Sequence, residues 1–186
     1  MRKLIYFTMT SLDGFIDKPD RNLDWVIIDE ELHTYVNNLE REIGAYLYGR
    51  RMYELMQAYW PTADAQSSLA VEVEFSRIWK GIPKIVFSKT LDRVEGNARL
   101  VREDAVAEVI RLKEQPGKDL EVGGAVLAST LMRSGLIDEY RLFIQPVLLG
   151  AGTPMFPALE AVTKLRLVET HTFTSGVVFL RYQRVV

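Results

Sequence analysis

Three short turns along the chain carry residues that can hold an anion. The first is Gly49-Arg50-Arg51, the second Ser88-Lys89-Thr90, the third Gly123-Gly124-Ala125. An arginine presents a planar fork of donors that matches a phosphate. A serine hydroxyl and a lysine ammonium are compatible with the same charge. Two glycines at the start of a helix let an anion approach bare backbone N–H groups. Read alone, Gly123-Gly124 fits a tight strand-to-helix turn as well as a phosphate seat. The weight comes from position, because each turn directly follows an apolar, strand-like run: Ala45–Tyr48, Lys84–Phe87 and Leu120–Val122. In open α/β sheets, ligands bind beyond the carboxyl ends of parallel strands. Three consecutive strand ends with anion-compatible residues point to a phosphate-bearing cofactor. The pattern is neither the Gly-x-Gly-x-x-Gly fingerprint after a first strand nor a P-loop lysine motif.

Acid–base candidates are fewer. Asp13 lies in Ser11-Leu12-Asp13-Gly14, where it reads either as a turn residue or as a carboxylate beside a ligand. Glu121 stands in an otherwise apolar strand, which is costly unless the group is paired or functional. Asp29 and Glu30 suit the start of a helix. His33 falls off the apolar stripe of its helix and is expected to face solvent. His171 is expected on a strand face of the terminal hairpin. Neither has a metal-ligand neighbour, so no metal site is expected. Trp25, Trp60 and Trp79 read as core or rim aromatics, with Trp60-Pro61 a possible cleft wall. Glu40-Arg41-Glu42 reads as a solvated helix face.

The elements that must position these residues follow from periodicity. Leu4–Met9 is strand-like. Asp29-Glu30-Glu31 opens a helix with Leu32, Tyr35, Val36, Leu39 and Ile43 on one face. Its acidic first turn suits the positive end of the helix dipole. Arg51–Gln57 begins a second helix, and Val71, Phe75, Ile78 and Trp79 mark a third. Leu100-Val101 is a short strand. Ala105, Val109 and Leu112 mark a helix ending before Pro116-Gly117. Another helix runs through Leu127 and Leu131 to Ser134-Gly135. Tyr140–Leu149 is a long strand-like run. Leu165–Phe173 and Val177–Val185 alternate in the β manner around Thr174-Ser175-Gly176, a terminal hairpin. The expected fold class is α/β, with a mixed, mostly parallel central sheet, flanking helices and a C-terminal antiparallel hairpin.

Bulk properties bound the reading. The chain has 186 residues, 48% of them hydrophobic, which fits a single domain over residues 1–186. A net charge of −2 argues against nucleic acid or a charged membrane surface as partner. No apolar run reaches membrane-span length, and the opening Met1–Phe7 reads as a first strand rather than a signal peptide. There is no cysteine, which excludes disulfides, thiolate metal sites and cysteine nucleophiles, and fits a cytoplasmic protein.

Taken in order, these motifs resemble the dihydrofolate-reductase-like fold, in the branch of the reductase domain of the riboflavin-biosynthesis deaminase–reductase. The resemblance covers nearly the whole chain. It runs from Ser11-Leu12-Asp13-Gly14 through Leu47-Tyr48-Gly49-Arg50-Arg51-Met52-Tyr53-Glu54 and Lys84–Thr90. It continues through Glu121–Leu127 and Gly135–Glu139 to Pro146–Phe156. It implies an NADPH-dependent reductase passing a hydride to a pyrimidine- or pterin-like heterocycle, similar to 5-amino-6-(5-phosphoribosylamino)uracil reductase. On that resemblance Gly49, Arg50, Arg51 and Met52 lie along the cofactor's phosphates, Met52 replacing the usual threonine. Ser88 and Lys89 match the stretch near the adenosine 2′-phosphate. Gly123, Gly124, Ala125, Val126 and Leu127 match the pyrophosphate segment. Thr8 and residues 11–14 flank the nicotinamide. Asp13 and Glu121 are the candidate catalytic carboxylates, a matching glutamate contacting substrate in the riboflavin reductases. The resemblance also implies a homodimer, with Tyr140–Leu149 as the seam. Two departures stand out. No cysteine exists for the companion zinc deaminase, and Glu54–Pro61 replaces the Asp-Asp-Pro stretch that holds the ribose phosphate. A non-catalytic nucleotide-binding or regulatory domain is a second reading, and a true dihydrofolate reductase a third.

Overall fold

A computed structural model describes residues 1–185. Eight strands form one sheet: β1 (Leu4–Ser11), β2 (Ile43–Gly49), β3 (Lys84–Phe87), β4 (Ala98–Val101), β5 (Asp119–Gly123), β6 (Glu139–Gln145), β7 (Leu165–Thr172) and β8 (Val178–Arg184). Six helices accompany them: α1 (Glu30–Glu40), α2 (Arg50–Gln57), α3 (Trp60–Gln66), α4 (Ala70–Gly81), α5 (Ala105–Glu114) and α6 (Ala125–Arg133). The spatial order is β4-β3-β2-β5-β1-β6-β8-β7. Strands β1 to β6 pair in parallel, and β8 and β7 add two antiparallel strands at one edge. This is the mixed sheet with a terminal hairpin that the periodicity anticipates.

The central strands read as near-continuous apolar runs because helices cover both faces. On one face, Leu4, Tyr6, Leu47, Leu120 and Val122 pack against Val109 and Leu112 of α5 and Leu131 of α6. On the other, Ile5, Tyr46, Phe143 and Phe179 pack with Leu32 and Val36 of α1 and Phe75 and Trp79 of α4. Each fully buried side chain of this size contributes about 2 kcal/mol of transfer free energy. Asp29 caps α1, its Oδ1 accepting the Leu32 N–H at 2.8 Å, which accounts for that carboxylate without a ligand.

Several expectations change. Ile43 opens β2 instead of extending the α1 face. The Tyr140–Leu149 run is a strand only to Gln145, since Pro146 has no N–H to continue the ladder. Strand β6 lies between β1 and β8 with both edges paired, so it offers no dimer seam. Helix α3 goes unseen in the sequence because seven residues cannot show a full apolar stripe. His33 is buried, its ring packed edge-on against Trp60 and Phe75. Its Nδ1 sits 3.1 Å from Asn37 Oδ1. The Asn37 amide donates to Val71 and Glu74, so Nδ1 carries the proton towards Asn37.

Candidate active site

Parallel pairing places the carboxyl ends of β3, β2, β5, β1 and β6 along one rim of the sheet. Gly49 ends β2 and caps α2, and no side chain caps that helix. Gly124 caps α6, again without a side-chain cap, at φ +90° and ψ 130°. That conformation lies in the region L side chains avoid. Two helix N-termini therefore open side by side at adjacent strand ends, their first N–H groups uncapped by any side chain. Tyr48 pairs in register with Gly123. A Cβ on Gly123 or on Gly124 would sit 3.3 Å from Met52 atoms, and one on Gly49 would sit 3.9 Å from Leu127. Gly49, Met52, Gly123, Gly124 and Leu127 thus form one tight surface. Ala125 is buried beside it, while Val126 projects outward, 84% exposed.

The second turn joins this surface through Arg50. Its Nη1 donates to Thr90 Oγ1 at 3.0 Å, and its Nε donates to Glu54 at 2.7 Å. Ser88 Oγ accepts the N–H groups of Thr90 and Leu91 at 3.2 and 3.1 Å, which folds the turn back on itself. Lys89 is exposed and forms no ion pair among the described residues. Arg51 departs from its partners. It pairs at 3.2 Å with Asp17, a buried carboxylate that also accepts the Thr153 N–H at 3.0 Å. Arg51 therefore ties α2 to the 150–153 loop rather than facing the glycine surface. Asp17 is a positioning residue the sequence reading missed. The one signal available was the second arginine of the turn, a surplus charge needing a partner.

Within β1, Thr8 is buried, its hydroxyl donating to the Met9 carbonyl, and Ser11 ends the strand. Asp13 is a loop anchor, not a free acid. It accepts the Ser11 hydroxyl at 2.6 Å and the N–H groups of Leu149 and Gly150 at 3.1 and 2.7 Å. The Ser11 hydrogen bond first, then the Gly150 N–H, hold it below the usual carboxylate range, so it has no proton to give.

Glu121 is the middle residue of β5 and is buried, between Ile5 and Tyr46 of the neighbouring strands. It faces Glu40, which is also buried rather than part of a solvated face. Burial first, then the neighbouring Glu40, push Glu121 well above the usual range. Burial likewise lifts Glu40 to about 7, with Tyr46 and Arg141 opposing. Glu40 Oε2, Glu121 Oε2, the Tyr46 hydroxyl and Arg141 Nη1 have no hydrogen-bond partner. Two carboxyls this close and this dry cannot both ionise. Glu121 lies beneath the rim, about 7 Å along the strand from Gly123.

Comparison with known proteins gives the arrangement a family. A family model described as the RibD C-terminal domain matches residues 2–179. The uncharacterized protein YyaP of Bacillus subtilis strain 168 is 35% identical over 182 residues, covering 97% of this chain and 94% of that protein. A crystal structure from Shewanella sp. PV-4, named for riboflavin biosynthesis, superposes with a TM-score of 0.79 at 23% identity, covering 99% of each chain. Dihydrofolate reductase from Enterococcus faecalis, complexed with NADP(H), superposes with a TM-score of 0.64 at 15% identity, covering 98% of this chain and 96% of that one. At these identities the two structures establish the dihydrofolate-reductase-like fold. The chain belongs to the RibD C-terminal domain family.

Proposed function

We propose that this protein is an NADPH-dependent reductase that passes a hydride to a small heterocyclic, pyrimidine- or pterin-like substrate. The observation that carries the reading is the pair of helix N-termini, α2 and α6, opening together on side-chain-free backbone at Gly49 and Gly123-Gly124. A Cβ at either of the last two positions would press on Met52, so the two helix starts keep bare backbone, and no side chain caps their first N–H groups. Gly123 to Leu127 would hold the pyrophosphate, and Gly49, Arg50 and Met52 would lie along the phosphates. Ser88 and Lys89 would face the adenosine 2′-phosphate, where the ammonium favours NADPH over NADH by charge. Thr8 and residues 11–14 would border the nicotinamide. When bound, the cofactor would supply the hydride.

The chain's own residues bind and orient. Asp13 fixes the 148–150 loop beside the end of β1. Arg51 and Asp17 hold the neighbouring 150–153 loop to α2. The proton that accompanies the hydride comes from solvent at the open rim.

Fluorescence titration with NADPH and NADH tests the reading. Tighter binding of NADPH is expected, and Arg50→Ala and Lys89→Ala should each weaken it about tenfold, a loss of about 1.4 kcal/mol. Absence of NADPH binding would sink the proposal. A second reading, a nucleotide-binding or regulatory domain without turnover, is favoured by one observation. Neither Asp13 nor Glu121 stands free at the rim. Cofactor binding with no oxidation across pterins, pyrimidines and quinones would select it.

A further inference from the structure

The rim is electrostatically lopsided. On the β2–β3 side stand Arg50 and Lys89, with α2 and α6 pointing their positive ends outward. The β1–β6 side is built from three stretches of chain, residues 11–13, 27–28 and 145–150, joined by one backbone bond and by the Gln145 and Asp13 side chains. Leu12 N–H donates to the Val147 carbonyl at 2.8 Å. The Ile27 N–H donates to Gln145 Oε1 at 3.0 Å, and Gln145 Nε2 returns a bond to the Ile27 carbonyl at 3.3 Å. The Asp13 carboxylate holds Leu149 and Gly150. The side chains these bonds leave outward are apolar: Leu12 is 66% exposed, Leu148 69%, Ile28 51% and Ile27 39%.

Charge on this side is mostly negative or paired, Arg21 being the one cation of residues 12–29 outside an ion pair. Residues 12–29 contain five acidic and two basic side chains, and residues 146–159 contain no charged residue. Lys18 is paired with Asp24 at 2.6 Å, and Arg51 with Asp17. Arg21, the remaining cation, stands on the tip of the 18–22 turn next to Asp20. The first turn of α1 adds Glu30 and Glu31. A phosphate placed on Leu12, Ile27, Ile28 and Leu148 would face a net acidic surround, while exposed leucine and isoleucine surface gains by covering.

We infer that the β1–β6 side of the rim seats an uncharged, unphosphorylated planar ring compound on Leu12, Ile27, Ile28 and Leu148, and discriminates against phosphate and sulfonate esters and acids. The inference rests on the reductase reading, with this side as its substrate half. In the reaction the electron pair and hydrogen nucleus leave NADPH as hydride, the ring compound is reduced, solvent supplies the balancing proton, and NADP⁺ is released.

The test uses two quinones that differ chiefly in charge, 2-methyl-1,4-naphthoquinone and 1,4-naphthoquinone-2-sulfonate. The chain has no cysteine for a quinone to alkylate, so binding reads cleanly. Dissociation constants are measured by calorimetry on the cofactor-free and the NADP⁺-saturated protein. The neutral quinone should bind at least tenfold tighter than the sulfonate in both. Leu148→Ser should weaken the neutral quinone three- to tenfold and leave NADPH affinity unchanged, and Leu148→Lys should narrow the gap between the probes by tenfold. Circular dichroism and the NADPH titration report whether each variant is folded. Equal or tighter binding of the sulfonate, indifference to both substitutions, or no binding of either probe overturns the inference. NADPH failing to bind while the preference for the neutral ring persists would instead overturn the cofactor reading and leave this one standing.

Discussion

Glu40 and Glu121 illustrate how much a single buried contact decides. Both are charged residue types, both are buried, and neither finds a cation within hydrogen-bond reach. Arg141 is near enough to oppose their upward shifts, but its Nε is committed to Glu139 at 3.0 Å. Tyr46 and Tyr48 close the other side, their hydroxyls also pushed up by burial first. Groups whose carboxyls titrate higher in the folded state stabilise the fold at low pH and lose that contribution as pH rises through the folded value. Stability should therefore fall by about 2 kcal/mol as pH climbs from 5.5 to 8.5, read from urea denaturation midpoints. Glu121→Gln should flatten that slope. A profile as steep in the variant as in the wild type would refute the buried carboxyl pair as its source. Half of this pair was legible: Glu121 interrupts an apolar strand, which marks it as paired or functional. Glu40 was missed although it continues the Leu32-Val36 stripe at i+4 spacing, because an acidic run on a helix ordinarily faces water. At Gly124 the backbone itself is the constraint. Gly124→Ala should cost about 1–2 kcal/mol, seen as a lower melting temperature, because φ +90° suits only glycine. The same substitution should weaken NADPH binding.

At the level of elements, the parallel strands and the hairpin were readable because burial on both faces leaves unbroken apolar runs. Boundaries failed where apolar residues continue past the end of a strand. Val147, Leu148 and Leu149 extend the apolar run of β6, yet Pro146 halts the ladder and the three residues turn to the rim. The three phosphate-compatible turns were legible from residue type and position. The pairing of Arg51 with Asp17 was not, since it joins residues 34 apart through folding alone. Asp17→Ala should leave the Thr153 N–H without its acceptor and cost about 1–2 kcal/mol in thermal denaturation. Asp13→Ala should act differently. The Leu149 and Gly150 amides should exchange with solvent faster, while the rest of the sheet keeps its protection, measured by hydrogen exchange. Slowed or unchanged exchange at those two amides would refute the anchoring role.

The whole molecule divides its labour across one sheet. The helix-starting ends of β2 and β5 present positive potential, and the ends of β1 and β6 present apolar and acidic surface. The two free edges of the sheet are β4 and β7. Strand β7 carries a register shift between Leu167 and Glu169, the kind of irregularity that blunts edge pairing. A homodimer of the sort the resemblance implies cannot form by strand addition at β6, because both its edges are paired. The described residues include no helix long and apolar enough to cross a membrane.

Val126 stands at the second position of α6, 84% exposed, beside the glycine surface. The chain contains no native thiol. One cysteine introduced there would be the sole attachment point for a fluorophore, close to the glycine surface yet outside the packed interior. The arrival of a nucleotide at the rim is then followed in real time by the fluorophore's emission.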